Sequence, residues 1–150
     1  MALDDRKASD TEARLAAMVM PDVGCTKAAR GAALERLRAM GLPQRRDEYW
    51  KFTRPDTLTR TDAPRAAVFD AGEEPMFAGF DRLRIVFVDG VFSPERSDDL
   101  ALEGVQIDRL EDVCCKDDHW AEDLYGTLEA VGQVPVDRPL AALNTAFAGD

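Results

Sequence analysis

Residues 26–43 read TKAARGAALERLRAMGLP, and this stretch decides the architecture of the front of the chain. Ala33, Leu37 and Met40 recur at i, i+4 and i+7, and Leu34 widens the stripe. That spacing predicts a helix from about Thr26 to Met40. Arg30, Glu35, Arg36 and Arg38 read as falling largely outside the apolar stripe. Gly41 stands where a left-handed residue closes a helix. Leu42 is placed to reach back onto Leu37 in a Schellman arrangement, and Pro43 keeps the helix from resuming.

Upstream, Ser9 and Glu12 have capping-box spacing, and Leu15, Met18 and Val19 follow at helical intervals before Pro21. A second N-terminal helix is expected there. Downstream, QRRDEYWKFT (44–53) interleaves Tyr49, Trp50 and Phe52 with charges. Such a cluster either pins a loop against helices or offers an aromatic face to a ligand. Arg54 to Pro75 is rich in Pro, Asp and Thr and reads as an extended connection. Leu83–Val88 alternates like a strand, Asp89-Gly90 is a favoured hairpin turn, and Val91–Ser93 would return. Val105–Ile107 is expected as a third short strand. Trp120, Leu124, Leu128 and Val131 form the stripe of an expected helix over about 118–131, capped by Asp117 or Asp118 and ended by Gly132. Pro139 opens a last helix to Phe147. The expected class is α+β. Its parts are a helical region over 1–54, a connection over 55–80, and a small mixed region over 81–150 with a hairpin and two further helices.

The chain has 150 residues and a net charge of −10, unevenly spread. Residues 1–60 carry a net of +3 and residues 61–150 a net of −13. An acidic surface repels phosphate backbones, so no nucleic-acid partner is expected. No apolar run approaches the roughly 18 residues of a membrane span, so no membrane partner is expected either. The opening MALDDRKASDTEAR lacks the apolar core of a secretory signal. Three cysteines, two of them adjacent, form no disulfide framework and read as reduced thiols of a cytoplasmic protein.

Chemistry-bearing constellations are few. Cys114, Cys115 and His119 combine thiolates and an imidazole, the ligands zinc or iron prefer. Consecutive side chains diverge, however, and neighbouring carboxylates raise a thiol pKa, which opposes both a tetrahedral site and a reactive thiolate. Acidic pairs at Asp98-Asp99, Glu111-Asp112, Asp117-Asp118 and Glu122-Asp123 read as a solvated face. No phosphate-binding glycine motif and no hydrolase elbow occurs. The reading assigns no catalytic, cofactor or metal residue. Arg46, Glu48, Trp50 and Lys51 are the candidate interaction surface.

Three stretches resemble a known family. ALERLRAMGLPQRRDEYWKFT (33–53) is similar to the N-terminal region of the SufB/SufD family of the SUF iron–sulfur cluster assembly system. There a helix leads into Gly-Leu-Pro and then Glu-x-Trp-Lys-Tyr-Thr. Here Gly41-Leu42-Pro43, Arg46, Glu48, Trp50-Lys51 and Thr53 match, and Phe52 replaces the usual Tyr. PLAALNTAF (139–147) resembles the Leu-Asn-Thr-Ala-Phe element of the SufD branch, and RIVFVDGVFS (84–93) its strand–turn–strand. The resemblance implies a non-catalytic N-terminal domain of a SufD-like scaffold, detached from the family's β-helix core, with no cofactor of its own. It implies SufB and SufC as partners through parts of a longer protein not present here. Leu140, Leu143 and Phe147 would then pack on that missing core. The alternatives are a freestanding acidic adaptor, or a thiol- or metal-dependent enzyme using Cys115 and His119.

Overall fold

The computed structural model describes residues 5–21, 24–62, 76–88, 90–113, 119–131 and 137–148. Among them the class is α+β, with six helical segments and one antiparallel hairpin. The chain divides into two compact units. One comprises Met1–Ala63 together with Leu110–Gly149, the other Pro64–Arg109. The division differs from the sequence expectation, because residues 110–149 join the N-terminal helices rather than the hairpin.

In the first unit, α1 spans Asp5–Ala16 and α2 Lys27–Met40. Short helices follow at Asp56–Thr59 (α3), Leu110–Val113 (α4) and Thr127–Ala130 (α5), and α6 covers Pro139–Phe147. Ser9 lies inside α1 and is exposed, so the capping box does not form: the helix is already running at Asp5. The apolar stripe of α2 meets α6 in the most extensive helix pairing of the chain. Ala33, Ala142 and Ala146 are wholly buried, and their small side chains let the helices approach closely. Leu15, Leu37, Leu42, Ala142 and Leu143 form the core cluster, with Leu140 and Phe147 half-buried against it. These three residues of α6, expected to pack on a body outside the chain, thus have partners within the unit.

Arg30 departs from expectation. It is 1 % exposed. Its Nε donates to Thr26 Oγ1 at 2.9 Å, and its Nη1 donates to the carbonyls of Ala146 at 3.3 Å and Ala148 at 2.6 Å. A buried cation needs such partners, because stripping its hydration without replacement costs several kcal/mol. The end of a helix supplies them: unpaired carbonyls carry the negative pole of the dipole. Tyr125 lies under the guanidinium at 5.2 Å, and its hydroxyl donates to Thr145 O at 2.5 Å.

Tyr125 also explains why the helix expected over 118–131 is cut to α5. Gly126 has φ +74°, outside helical geometry. A Cβ there would sit 3.0 Å from Thr145 Cγ2. The segment therefore docks edge-on through Tyr125 and Gly126. The anticipated stripe faces solvent: Trp120 is 62 % exposed and Leu128 89 %. The capping residues Asp117 and Asp118, and Gly132, lie outside the described residues.

In the second unit, β1 (Phe87–Val88) pairs with β2 (Val91–Phe92), matching Phe87 with Phe92 and Val88 with Val91. Gly90 takes φ +80°, as the hairpin turn requires; Asp89 lies outside the described residues. Beyond Ser93 the strand ends at Pro94, which has no N–H to give the ladder. Side chains then share the pairing with the backbone: Ser97 Oγ accepts from Val86 N at 2.9 Å and Asp98 Oδ2 from Arg84 N at 2.7 Å, while Asp98 N donates to Arg84 O at 2.9 Å. The third strand does not form. Leu102 and Val105 make only a single bridge around Gly104. Among the described residues of this unit Ser93 is buried and no apolar side chain is.

Two substitutions separate this packing from the stripe read in the sequence. Gly126→Ala is expected to lose about 1–3 kcal/mol, from a strained backbone and the contact with Thr145. Leu128→Ser should stay within about 0.5 kcal/mol of the parent, as surface changes do. Urea unfolding followed by circular dichroism measures both. The reverse ranking would mean that the stripe, not Tyr125 and Gly126, faces the core.

Candidate functional site

The helix stop at Gly41 opens a connected set of polar contacts between α1 and the chain that follows α2. Gly41 has the expected positive φ of +67°, but its ψ of 160° turns the chain outward instead of completing a Schellman motif. Gly41 N donates to Leu37 O at 2.7 Å, whereas Leu42 N donates to Thr11 Oγ1 of α1 at 2.9 Å. Thr11 Oγ1 in turn donates to Lys7 O at 2.7 Å. Thr11 is 1 % exposed, so this hydroxyl satisfies a buried N–H that would otherwise go unmet. Leu42 still reaches Leu37, now as part of the core cluster.

A second tie follows at once. Asp47 N donates to Gln44 O at 2.9 Å, and Gln44 N donates to Asp47 Oδ2 at 3.0 Å. The two bonds lock residues 44–47 into a turn with Arg45 and Arg46 at its tip. Lys7 Nζ pairs with the same carboxylate oxygen at 2.8 Å, clamping the turn to α1. Burial would raise the pKa of Asp47, but the hydrogen bonds from Lys7 and Gln44 and the charge of Lys7 outweigh it and hold it below its usual value.

Of the expected interaction residues, Arg46, Glu48 and Lys51 are exposed and Trp50 is half-buried. Glu48, Tyr49 and Trp50 form a 3-10 turn in which Trp50 N donates to Asp47 O at 2.8 Å. Glu48 and Lys51 pair with each other across it, and Lys51 Nζ stands 5.2 Å from the ring of Phe52. Tyr49 and Phe52 project into solvent, 73 % and 91 % exposed. The cluster is thus held by its backbone, and only Trp50 turns inward.

Sequence reading missed the concavity beside this turn, a groove of about 540 Å³ between α1, the turn and α3. Arg6 and Lys7 line one wall, Arg45 and Arg46 another, and Arg60 a third, with Leu42 and Pro43 between them. Five cationic residues face two carboxylates, Asp10 and Asp56, in a chain whose net charge is −10. Arg60 is held by Asp62 in a bidentate pair at 3.0 and 2.9 Å. Arg45 and Arg46 are exposed, and their side chains make no hydrogen bond or ion pair among the described residues. The available signal was the basic excess of residues 1–60, which is dilute in sequence and concentrated only by the turn.

Of the metal candidates, only His119 falls among the described residues. Cys114 and Cys115 lie outside the described residues. His119 is half-buried, its Nδ1 accepts from Ala121 N at 3.2 Å, and its ring lies 5.3 Å from that of Trp120. Among the described residues no three His, Cys, Asp or Glu side chains are grouped to hold a metal ion. Cys25 Sγ donates weakly to Val113 O at 3.9 Å. No helix among the described residues is long and apolar enough to cross a membrane. No protein-family model, curated protein or solved structure matches this chain.

A carboxylate with a lowered pKa contributes stability above its unfolded-state value and loses it as pH falls through the folded value. The Asp47 clamp should therefore be intact at neutral pH and released in acid, below the ordinary carboxylate range. Asp47→Asn should destabilise the chain at pH 7, and the gap to the parent should close toward pH 3. Urea midpoints across that range provide the measurement; a gap independent of pH would remove Asp47 ionisation as the cause.

Proposed function

We propose that this chain is a non-catalytic interaction domain of a SufD-like scaffold subunit in cytoplasmic iron–sulfur cluster assembly. The supporting observation is that two of the three stretches carrying the family resemblance, 33–53 and 139–147, meet in one core. Leu37 and Leu42 from the first pack in the same cluster as Ala142 and Leu143 from the second, although about 100 residues separate them. SufB and SufC are the proposed partners of the longer scaffold, reached through its other parts. Within the chain, the turn at 44–53 is the interaction surface. Its backbone is fixed by Asp47 and Thr11 while Arg46, Glu48, Lys51 and Phe52 stay accessible, which is the rigid presentation that recognition favours.

Deletion of the coding region for residues 5–148 from the host gene tests this reading. Aconitase and other iron–sulfur enzymes are expected to lose several-fold activity under iron limitation, with their polypeptide levels unchanged. Full activity of those enzymes in the deletion would refute the assignment.

A further inference from the structure

We infer that the basic groove between α1, the 44–47 turn and α3 binds a short acidic segment of a protein partner in extended form. The inference rests on the reading of this unit as an interaction domain, but not on its assignment to iron–sulfur assembly. Three observations support it.

The first is charge. The groove gathers Arg6, Lys7, Arg45, Arg46 and Arg60 on a strongly acidic chain. Lys7 and Arg60 already pair with Asp47 and Asp62, so the charge offered to a ligand is concentrated at Arg45 and Arg46, a span that suits a short acidic segment rather than a long polyanion. The second is presentation. Arg45 and Arg46 sit at the tip of a turn closed by two hydrogen bonds and clamped by Lys7, so their backbone needs no ordering on binding. Planar guanidinium forks suit carboxylates bidentately. The third is the lining. Leu42 and Pro43 offer an apolar floor for side chains between the acids, and Asp10 and Asp56 offer acceptors for peptide N–H groups. A phosphate group would favour a cradle of backbone N–H groups with no carboxylate in the wall. A volume of about 540 Å³ accommodates a few residues rather than a folded surface.

The test is fluorescence anisotropy with the intact chain at 50 mM salt. The probe is a fluorescein-labelled octapeptide, Glu-Leu-Glu-Asp-Leu-Glu-Asp-Leu. The comparison ligands are its Gln/Asn counterpart, pyrophosphate and a single-stranded oligodeoxynucleotide. Expected results are saturable binding of the acidic peptide, at least tenfold weaker binding of the neutral one, and at least tenfold loss in the Arg45→Gln, Arg46→Gln double variant. That variant should melt like the parent by circular dichroism, because both side chains are exposed. No binding of the acidic peptide overturns the inference. So does unchanged binding by the double variant, or tighter binding of pyrophosphate or the oligonucleotide. Retained peptide binding with no iron–sulfur defect on deletion would leave this inference standing and remove the assembly reading. A failed titration with the defect present would do the opposite.

Discussion

One guanidinium organises the first unit. Arg30 sits in the opening turns of α2, where a positive charge opposes its own helix dipole. Its charged end reaches across to the closing turn of α6, where the dipole has the other sign. Thr145, Ala146 and Ala148 each present a carbonyl there, and Tyr125 and Arg30 take all three. The same side chain therefore fixes the pairing of α2 with α6 and the position of the 120–131 segment above them. Hydrophobic contact among Leu37, Ala142 and Leu143 gives that pairing its area, but apolar surfaces slide readily. Directional bonds from a buried cation fix the register.

The sequence made α2 and α6 legible because their period and their boundary signals are strong. α2 ends at Met40 and α6 starts at Pro139, as the glycine and proline positions indicate. Arg30 was misassigned on residue type alone. Its position precedes Ala33, Leu34 and Leu37 by three, four and seven residues, which is the stripe itself. Thr11 likewise precedes Leu15 and Met18 by four and seven. In both cases the period outweighs the hydropathy, and a polar residue on an apolar stripe marks a buried hydrogen bond. The 120–131 stripe failed for the converse reason. Its spacing is helical, but a glycine with positive φ and a tyrosine with a tertiary partner decide the backbone there. Neither signal lies in the apolar pattern.

The groove was illegible for a different reason. Its cations come from α1, the turn and the residue after α3, so no short window of sequence contains them. What assembles them is the exit of the chain from α2. Had Gly41 completed a Schellman motif, Leu42 N would have bonded to α2 itself and the seam to α1 would have lost its Thr11 bond, leaving the Lys7–Asp47 pair alone. The outward ψ at Gly41 sends that donor to Thr11 instead, and Lys7 and Asp47 complete the seam one helical turn away.

The pairing of α2 with α6 also sets an order of events during synthesis. The partner of α2 begins about 100 residues after α2 ends. At ordinary elongation rates of 5–20 residues/s, that separation is roughly 5–20 s. Throughout that interval the apolar stripe of α2 has left the peptidyl-transferase centre ahead of the only helix that covers it so extensively, and Arg30 has no α6 carbonyls to bind. The nascent polypeptide thus carries a partly uncovered hydrophobic helix until residues 139–147 are made, the kind of surface that holdase chaperones recognise.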